Sequence, residues 1–392
     1  MIATMISTSL NEQQQTVLEI DHRINRLVKR IELLAYVNPL NIAQEKKQFF
    51  KSKFNYEPSF RYRKIGFDPY KLHRLLYSQR LDRIENDSLQ SLYKDLVYTY
   101  SGLLQCVETI GDPNGKFFYN SLRFFGTPTQ KMVDNARYIL HFEDESPNQS
   151  LEDQIYNTSQ AVQFFEEQGA QYNFDFKIKT SSAMSAMAMV SNKDRALILK
   201  KNSTFSRHQL EVLAHHEIGV HLVTTFNAVD QPLKIFSNGF PNNVETQEGL
   251  AVMAEFLSGN LTVKRLKELA YRVIAADSLI KGFSFQDTFD LIHNQYKVAS
   301  DTAFNITLRA HRGGGWTKDA LYLSGLKNIY QLFQQGENLD NMFLGKCSLE
   351  YQNAIDTLHQ IELVAPLSHQ PLSFKQSKNS NKTVEFILNN LK

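Results

Sequence analysis

The sequence predicts an α+β protein that is mainly helical, with a small β-sheet placed ahead of a long helical body. Three observations predict it. Apolar residues recur at three- and four-residue spacing in the N-terminal third, the period shortens to two near the middle, and helical spacing returns from Ser206 almost to the end. The 392 residues, 42% hydrophobic and 21% charged, are ample for a buried core. The expected division is a mostly helical region over 1–150, a core over 151–375, and a polar linker with a short terminal helix over 376–392.

The first element follows from Val17, Ile20, Ile24, Leu27, Ile31 and Leu34, an amphipathic stripe between about Leu10 and Tyr36. It is too short for a coiled coil, so it is expected to pack on the protein's own body. Residues 54–83 are aromatic and basic. Pro58 and Pro69 interrupt them, which predicts loop and then helix, with the cations on solvated faces. Helical patterns follow over Leu89–Ile110 and Gln130–Leu140, on either side of the turn-rich stretch from Gly111 to Gly115. Phe174, Phe176 and Ile178 then alternate with polar residues as in a strand. Met184–Val190 and Arg195–Lys200 flank Ser191-Asn192-Lys193-Asp194 as a hairpin. The Arg195–Lys200 strand is the expected place for an extended ligand to add by β-pairing. Gln376–Lys382 (QSKNSNK) reads as a polar linker before the terminal helix.

Global composition narrows the chemistry. Lys+Arg 43 against Asp+Glu 41 leaves a formal charge of +2, which offers no overall attraction to nucleic acid or an anionic membrane. Two cysteines, Cys106 and Cys347, cannot build a disulfide framework. The first seven residues lack a cationic flank before an apolar run, and no stretch has the roughly 20 apolar residues of a spanning helix. A cytoplasmic protein is expected, with neither nucleic acid nor membrane as partner and the sequons at Asn202 and Asn305 coincidental. The oligomeric state is not legible.

Ser206 and Gln209 form a capping box, so a helix begins there. It carries His216-Glu217-Ile218-Gly219-Val220-His221. In the H-E-x-x-H pattern, two histidines one turn apart share a zinc ion and the glutamate works on its water. Here the second histidine comes one residue late. On a regular helix that places the two about 140° apart. A π-bulge restores the overlap, and Gly219, costly in a helix interior, sits where it would fall. His215 lies six residues from His221, about 240° round the helix, and is rejected as a ligand. A catalytic zinc takes three protein ligands and leaves one position open. The next helix offers Glu245 and Glu248, one turn apart, with Glu255 further on, and spacing alone does not separate the first two. A histidine pair on one helix and a glutamate on the next is the two-His-one-Glu arrangement of thermolysin-like enzymes.

A third cluster, Leu308 to Asp319 (LRAHRGGGWTKD), places Arg309 and Arg312 before three glycines, with Thr317 as the expected N-cap of the following helix. Glycine-rich backbone before a helix is a candidate anion cradle, for a substrate carboxylate or an oxyanion, against the plainer reading of a tight turn. Trp316 and Tyr322 are candidates for a pocket wall.

HEIGVH, TQEGLA, FNYEPSFRYRKIGFDPYKL and RAHRGG…TKDALYLSG together resemble the QEGLA-motif family, whose animal members are the microtubule-associated tyrosine carboxypeptidases. The resemblance covers most of the chain beyond about residue 50. It implies a gluzincin-like zinc metallopeptidase that removes a C-terminal residue, aromatic in the animal enzymes, from a peptide or protein. It also implies one zinc ion held by His216, His221 and Glu248, with Glu217 as the catalytic base. From their charge, Arg309, Arg312 and Lys318 are expected to bind substrate, with Tyr322 beside them. The alternative is a zinc-binding regulatory or interaction protein that processes no peptide, or a metal-free helical protein in which the histidines are incidental.

Overall fold

The computed structural model describes residues 10–29, 31–144, 154–182, 184 and 186–392. The expectation drawn from the first seven residues lies outside them. The fold is α+β and mainly helical. Among the described residues, no helix is long and apolar enough to cross a membrane.

The N-terminal stripe becomes the helix Glu12–Val28, started by an Asn11–Gln14 capping box. Val17, Ile20 and Ile24 are buried in the main apolar cluster, which reaches as far as Leu391. The helix stops at Val28 rather than near Tyr36. No glycine or proline marks the break. A separate turn, Leu33–Val37, instead packs with Cys106 and Val107 at the end of helix Asp87–Glu108. Asp21 is buried, and its carboxylate accepts hydrogen bonds from the amides of Lys234 and Ile235 and from the Tyr93 hydroxyl. It thereby ties the first helix to the helix Ile235–Asn238. The aromatic-basic stretch is loop up to the helix Pro69–Tyr77, as its prolines predict.

Among the described residues, five short strands make two sheets. β1 (Ile155–Asn157) pairs antiparallel with β5 (Thr204–Ser206). β2 (Lys177–Ser181), β3 (Ala188–Ser191) and β4 (Ala196–Lys200) form a second sheet in the order β2-β4-β3. The β3–β4 hairpin forms as expected, with Ala188 opposite Leu199. Two details differ from the sequence expectation. The alternation at Phe174 and Phe176 does not extend β2, because the Phe174 ring stacks on Phe226 with centroids 4.3 Å apart. β4, the expected site of strand addition, is the central strand, paired on one side with β2 and on the other with β3. β3 is the edge that faces the cleft.

The sheet covers one side of the helix spanning 207–230. Ile218 and Leu222 pack into a second apolar cluster with Phe164, Phe165, Leu197 and Leu199, whereas Val220 faces the main cluster. On the far side run Asn243–Leu257 and Leu321–Gln334, which touch through their backbones. A Cβ on Gly249 would lie 2.4 Å from the Gly325 carbonyl, and one on Gly325 would lie 2.1 Å from the Glu245 oxygen. These are the glycines of the QEGLA and YLSG motifs, and any side chain there forces the helices apart.

Gly325→Ala should therefore lower stability to urea by about 1–3 kcal/mol or more. Gly66→Ala, where an added Cβ meets nothing within 4 Å, serves as the comparison. Equal midpoints for the two variants would refute this account of the helix pair.

Candidate metal centre

The motif helix starts as the sequence predicts. Ser206 Oγ accepts from the Gln209 amide at 3.2 Å, and Gln209 Oε1 accepts from the Ser206 amide at 3.1 Å. It is α-helical over Arg207–Leu213, π-helical over Ala214–Leu222 and α-helical again over Val223–Asp230. The expected distortion is present and wider than one residue. Gly219 contributes space: its missing Cβ would stand 3.1 Å from the Tyr172 hydroxyl. With hydrogen bonds running i to i+5, His216 and His221 come onto one face, ring centroids 5.0 Å apart.

Their Nε2 atoms each lie 3.7 Å from the same oxygen, Oε2 of Glu248. One ligand atom from each of the three falls within 4.8 Å of the others. Tetrahedral zinc with ligands at about 2.0–2.1 Å sets neighbouring donors roughly 3.4 Å apart, so the spacing fits such an ion. Oε2 of Glu248 is also buried without a hydrogen-bond partner, a costly state for a carboxylate oxygen that a cation relieves. Geometry separates the two glutamates that spacing left open. Glu245 faces a different, smaller pocket, where Asn328 Nδ2 lies 3.4 Å from its Oε1. His215 points off the site and its burial pushes its pKa down.

Glu255 stands behind His216 and is not a third donor. Its Oε1 lies 2.8 Å from His216 Nδ1, and its carboxylate receives Nε and Nη2 of Arg265 at 2.9 and 3.0 Å. A carboxylate on Nδ1 fixes the ring and leaves Nε2 turned towards Glu248 and free to act as a ligand. Burial alone would push His216 down, but Glu248 and Glu255 outweigh it and hold the imidazole up at about 9. Burial likewise disfavours charge on Glu248, yet the Lys318 ammonium, 2.7 Å from Oε1, and the two imidazoles hold its carboxyl well below the usual range.

The site opens into a cleft of about 250 Å³. Buried Glu217 lines it next to His216, and Met189 and Val190 of β3 form one wall. Thr225 on the motif helix donates to Asn192 Oδ1 at 2.6 Å and fixes the hairpin tip over the site. Arg309, Arg312, Lys318 and Tyr322 line the same cleft. Three of their charges are engaged. Arg309 is paired with Asp319. Arg312 donates to Asn38 Oδ1 at 3.0 Å, lies over the Trp316 ring at 4.9 Å and has Asp319 at 3.9 Å. Lys318 holds Glu248 and sits 5.1 Å from the centroid of the Tyr322 ring. Burial opposes charge on Asp319, but Arg309 and its neighbours bring it down to about 2.

The glycine run is a tight turn. Gly313, Gly314 and Gly315 all have positive φ, and added Cβ atoms at Gly313 and Gly315 would strike Phe117 and Phe118 at 2.3 and 2.6 Å. The Gly313 amide donates to the Tyr62 hydroxyl. Thr317 sits at the N-cap position of the short turn Lys318–Ala320, as expected, but its side chain caps nothing, because its amide and hydroxyl are bound to Ser121. Trp316 is core. Sequence reading missed Arg265, Asp319, Asn38 and Lys346 and left Glu255 without a role. Only Glu255 carried a signal: seven residues beyond Glu248, it repeats on the same helical face.

The cleft, the three convergent donors and buried Glu217 together form one candidate metal site. The model of the microtubule-associated tyrosine carboxypeptidase family matches residues 47–392, and the chain belongs to that family. It is 24% identical over 338 residues to a mouse protein, MATCAP2, named as a candidate tyrosine carboxypeptidase. The match covers 82% of this chain and 55% of that protein, so the chain spans about half the relative's length.

In the metal-free chain, the raised pKa of His216 means that its charge contributes stability fully below about 6.5 and loses it as pH rises through about 9. The destabilisation caused by His216→Gln, measured in urea after chelation, should be larger at pH 6 than at pH 10. A pH-independent difference would show that Glu248 and Glu255 do not hold the proton.

Proposed function

We propose that this chain is a zinc-dependent carboxypeptidase with a gluzincin-like core over residues 151–375. In this reading the helical region over 1–150 braces one side of the core, and 376–392 is the polar linker and terminal helix. The observation that carries it is the convergence of His216, His221 and Glu248 within 4.8 Å beside buried Glu217. One zinc ion held by these three would supply a Lewis acid and lower the pKa of its water towards about 7.

The chain's own residues supply the rest. Glu217 takes the proton of the attacking water and returns it to the departing amine. Glu255 and Arg265 keep His216 in the tautomer that presents Nε2, and Lys318 holds Glu248 in place. The free edge of β3 is suited to pair with an extended peptide, with its side chains held by Met189 and Val190. Family membership supports removal of a C-terminal residue from a peptide or protein, aromatic by analogy with the family's name. The unpaired, buried thiols of Cys106 and Cys347 suit a cytoplasmic enzyme.

Glu217→Gln should retain about one zinc per chain by metal analysis while peptide turnover falls at least 10²- to 10⁴-fold. His221→Ala should lose the metal as well. Zinc retention with undiminished cleavage in Glu217→Gln would remove that residue from the base role. A zinc-loaded parent that cleaves no peptide in a mixed library, with termini read by mass spectrometry, would favour a regulatory zinc protein.

A further inference from the structure

The cleft contains four cationic side chains, and three are already matched by charges or dipoles of the protein. Arg309 and Arg312 gather on Asp319, and Lys318 sits on Glu248. The fourth is Lys346. It lines the cleft, and among the described residues its ammonium has no hydrogen bond or ion pair. Its one electrostatic neighbour is Glu32, on the exposed side. Burial pushes its amine down to about 8, as for a charge short of a partner.

The backbone around Lys346 is fixed. Its amide donates to the Phe236 carbonyl at 2.8 Å, its own carbonyl accepts from the Phe240 amide at 3.0 Å, and Gly345 is pressed against Phe236. The same loop is joined to the QEGLA helix. Gln247 Nε2 donates to the carbonyls of Met342 and Cys347, and the Leu349 amide donates to Thr246 Oγ1. The helix that carries Glu248 therefore also sets the position of Lys346. A cation on a fixed stretch of backbone, with no ion pair among the described residues and in a cleft whose other cations are taken, is arranged for an anion that arrives from outside.

We propose that Lys346 receives a carboxylate of the bound peptide. This rests on the peptidase reading only in taking the cleft as the peptide site. The carboxylate has two possible sources, the α-carboxylate of the terminal residue and an acidic side chain nearer the scissile bond. Both present the same chemistry to an ammonium.

The test measures binding without turnover. In the zinc-loaded Glu217→Gln chain, fluorescence anisotropy would follow three labelled peptides ending in tyrosine: a free acid with otherwise neutral residues, its C-terminal amide, and the amide with one internal glutamate. One of the anionic peptides should bind roughly ten- to hundredfold more tightly than the neutral amide, and which one does so identifies the source. Adding Lys346→Met should equalise all three, and Lys346→Arg should keep the preference. Lys346→Gln removes the charge a second way, with unchanged zinc content and unfolding midpoint showing that the fold is retained. A preference that survives both neutral substitutions overturns the proposal, as does the absence of any preference or any peptide binding. If the preference is present but the parent chain cleaves no peptide, the peptidase reading fails and the role of Lys346 stands.

Discussion

The distance between two helix backbones governs much of this molecule. At Gly249 and Gly325 no side chain separates the helices Asn243–Leu257 and Leu321–Gln334. That approach brings Glu248, next to Gly249, within reach of Lys318, one short turn before the second helix. The ammonium then holds one oxygen of Glu248 and leaves the other facing His216 and His221. A larger residue at either position would shift both carboxylate and lysine by more than the tolerance of a metal site, which is a few tenths of an ångström.

Behind this contact lies a second constraint, electrostatic in kind. Burying Glu248, Glu255 and Asp319 is unfavourable unless each gains a cation. Each has at least one: Lys318, Arg265 and Arg309 respectively. Removing one partner would leave a buried charge uncompensated, and such losses typically cost about 3–5 kcal/mol. These pairs do more to fix the geometry than to add net stability. Among the described residues Arg272 makes no close ion pair, and its burial, with Arg309 nearby, outweighs the attraction of Asp319 and pushes its pKa down to about 10. It is accommodated against the face of Tyr322, 5.2 Å from the ring centroid.

The parts of this design carried by local chemistry were legible in the sequence. The Ser206 capping box, the hairpin at Ser191–Asp194 and the helical distortion around Gly219 all follow from neighbours in the chain. Parts that depend on long-range burial were not. Nothing near Val28 announces that the first helix ends there, because Leu33 and Val37 answer to Cys106 and Val107. β4 reads like any half-buried strand, and only pairing on both sides shows that it cannot accept another. The three glycines suggested an anion cradle, since a sequence cannot show that Phe117 and Phe118 occupy the space. Charge alone placed Arg309, Arg312 and Lys318 in the cleft, where they are found. That Asp319 and Glu248 engage them is a fact of tertiary structure.

The π-helical winding joins these constraints. It is an uncommon helix form that appears mostly as short bulges, so a run from Ala214 to Leu222 needs support from outside. That support comes from two sides: Ile218 and Leu222 are held by the cluster under the sheet, and Val220 by the main helical cluster. Release of either side would let the segment relax towards α-helical winding, and His221 would swing away from His216 towards the roughly 140° that separates i and i+5 on a regular α-helix. The pair of histidines is thus a property of both apolar clusters together. A donor set assembled in this way exists only in the folded chain, so any ion it holds draws its binding energy from the packing of Ile218, Val220 and Leu222 as well as from the ligands themselves.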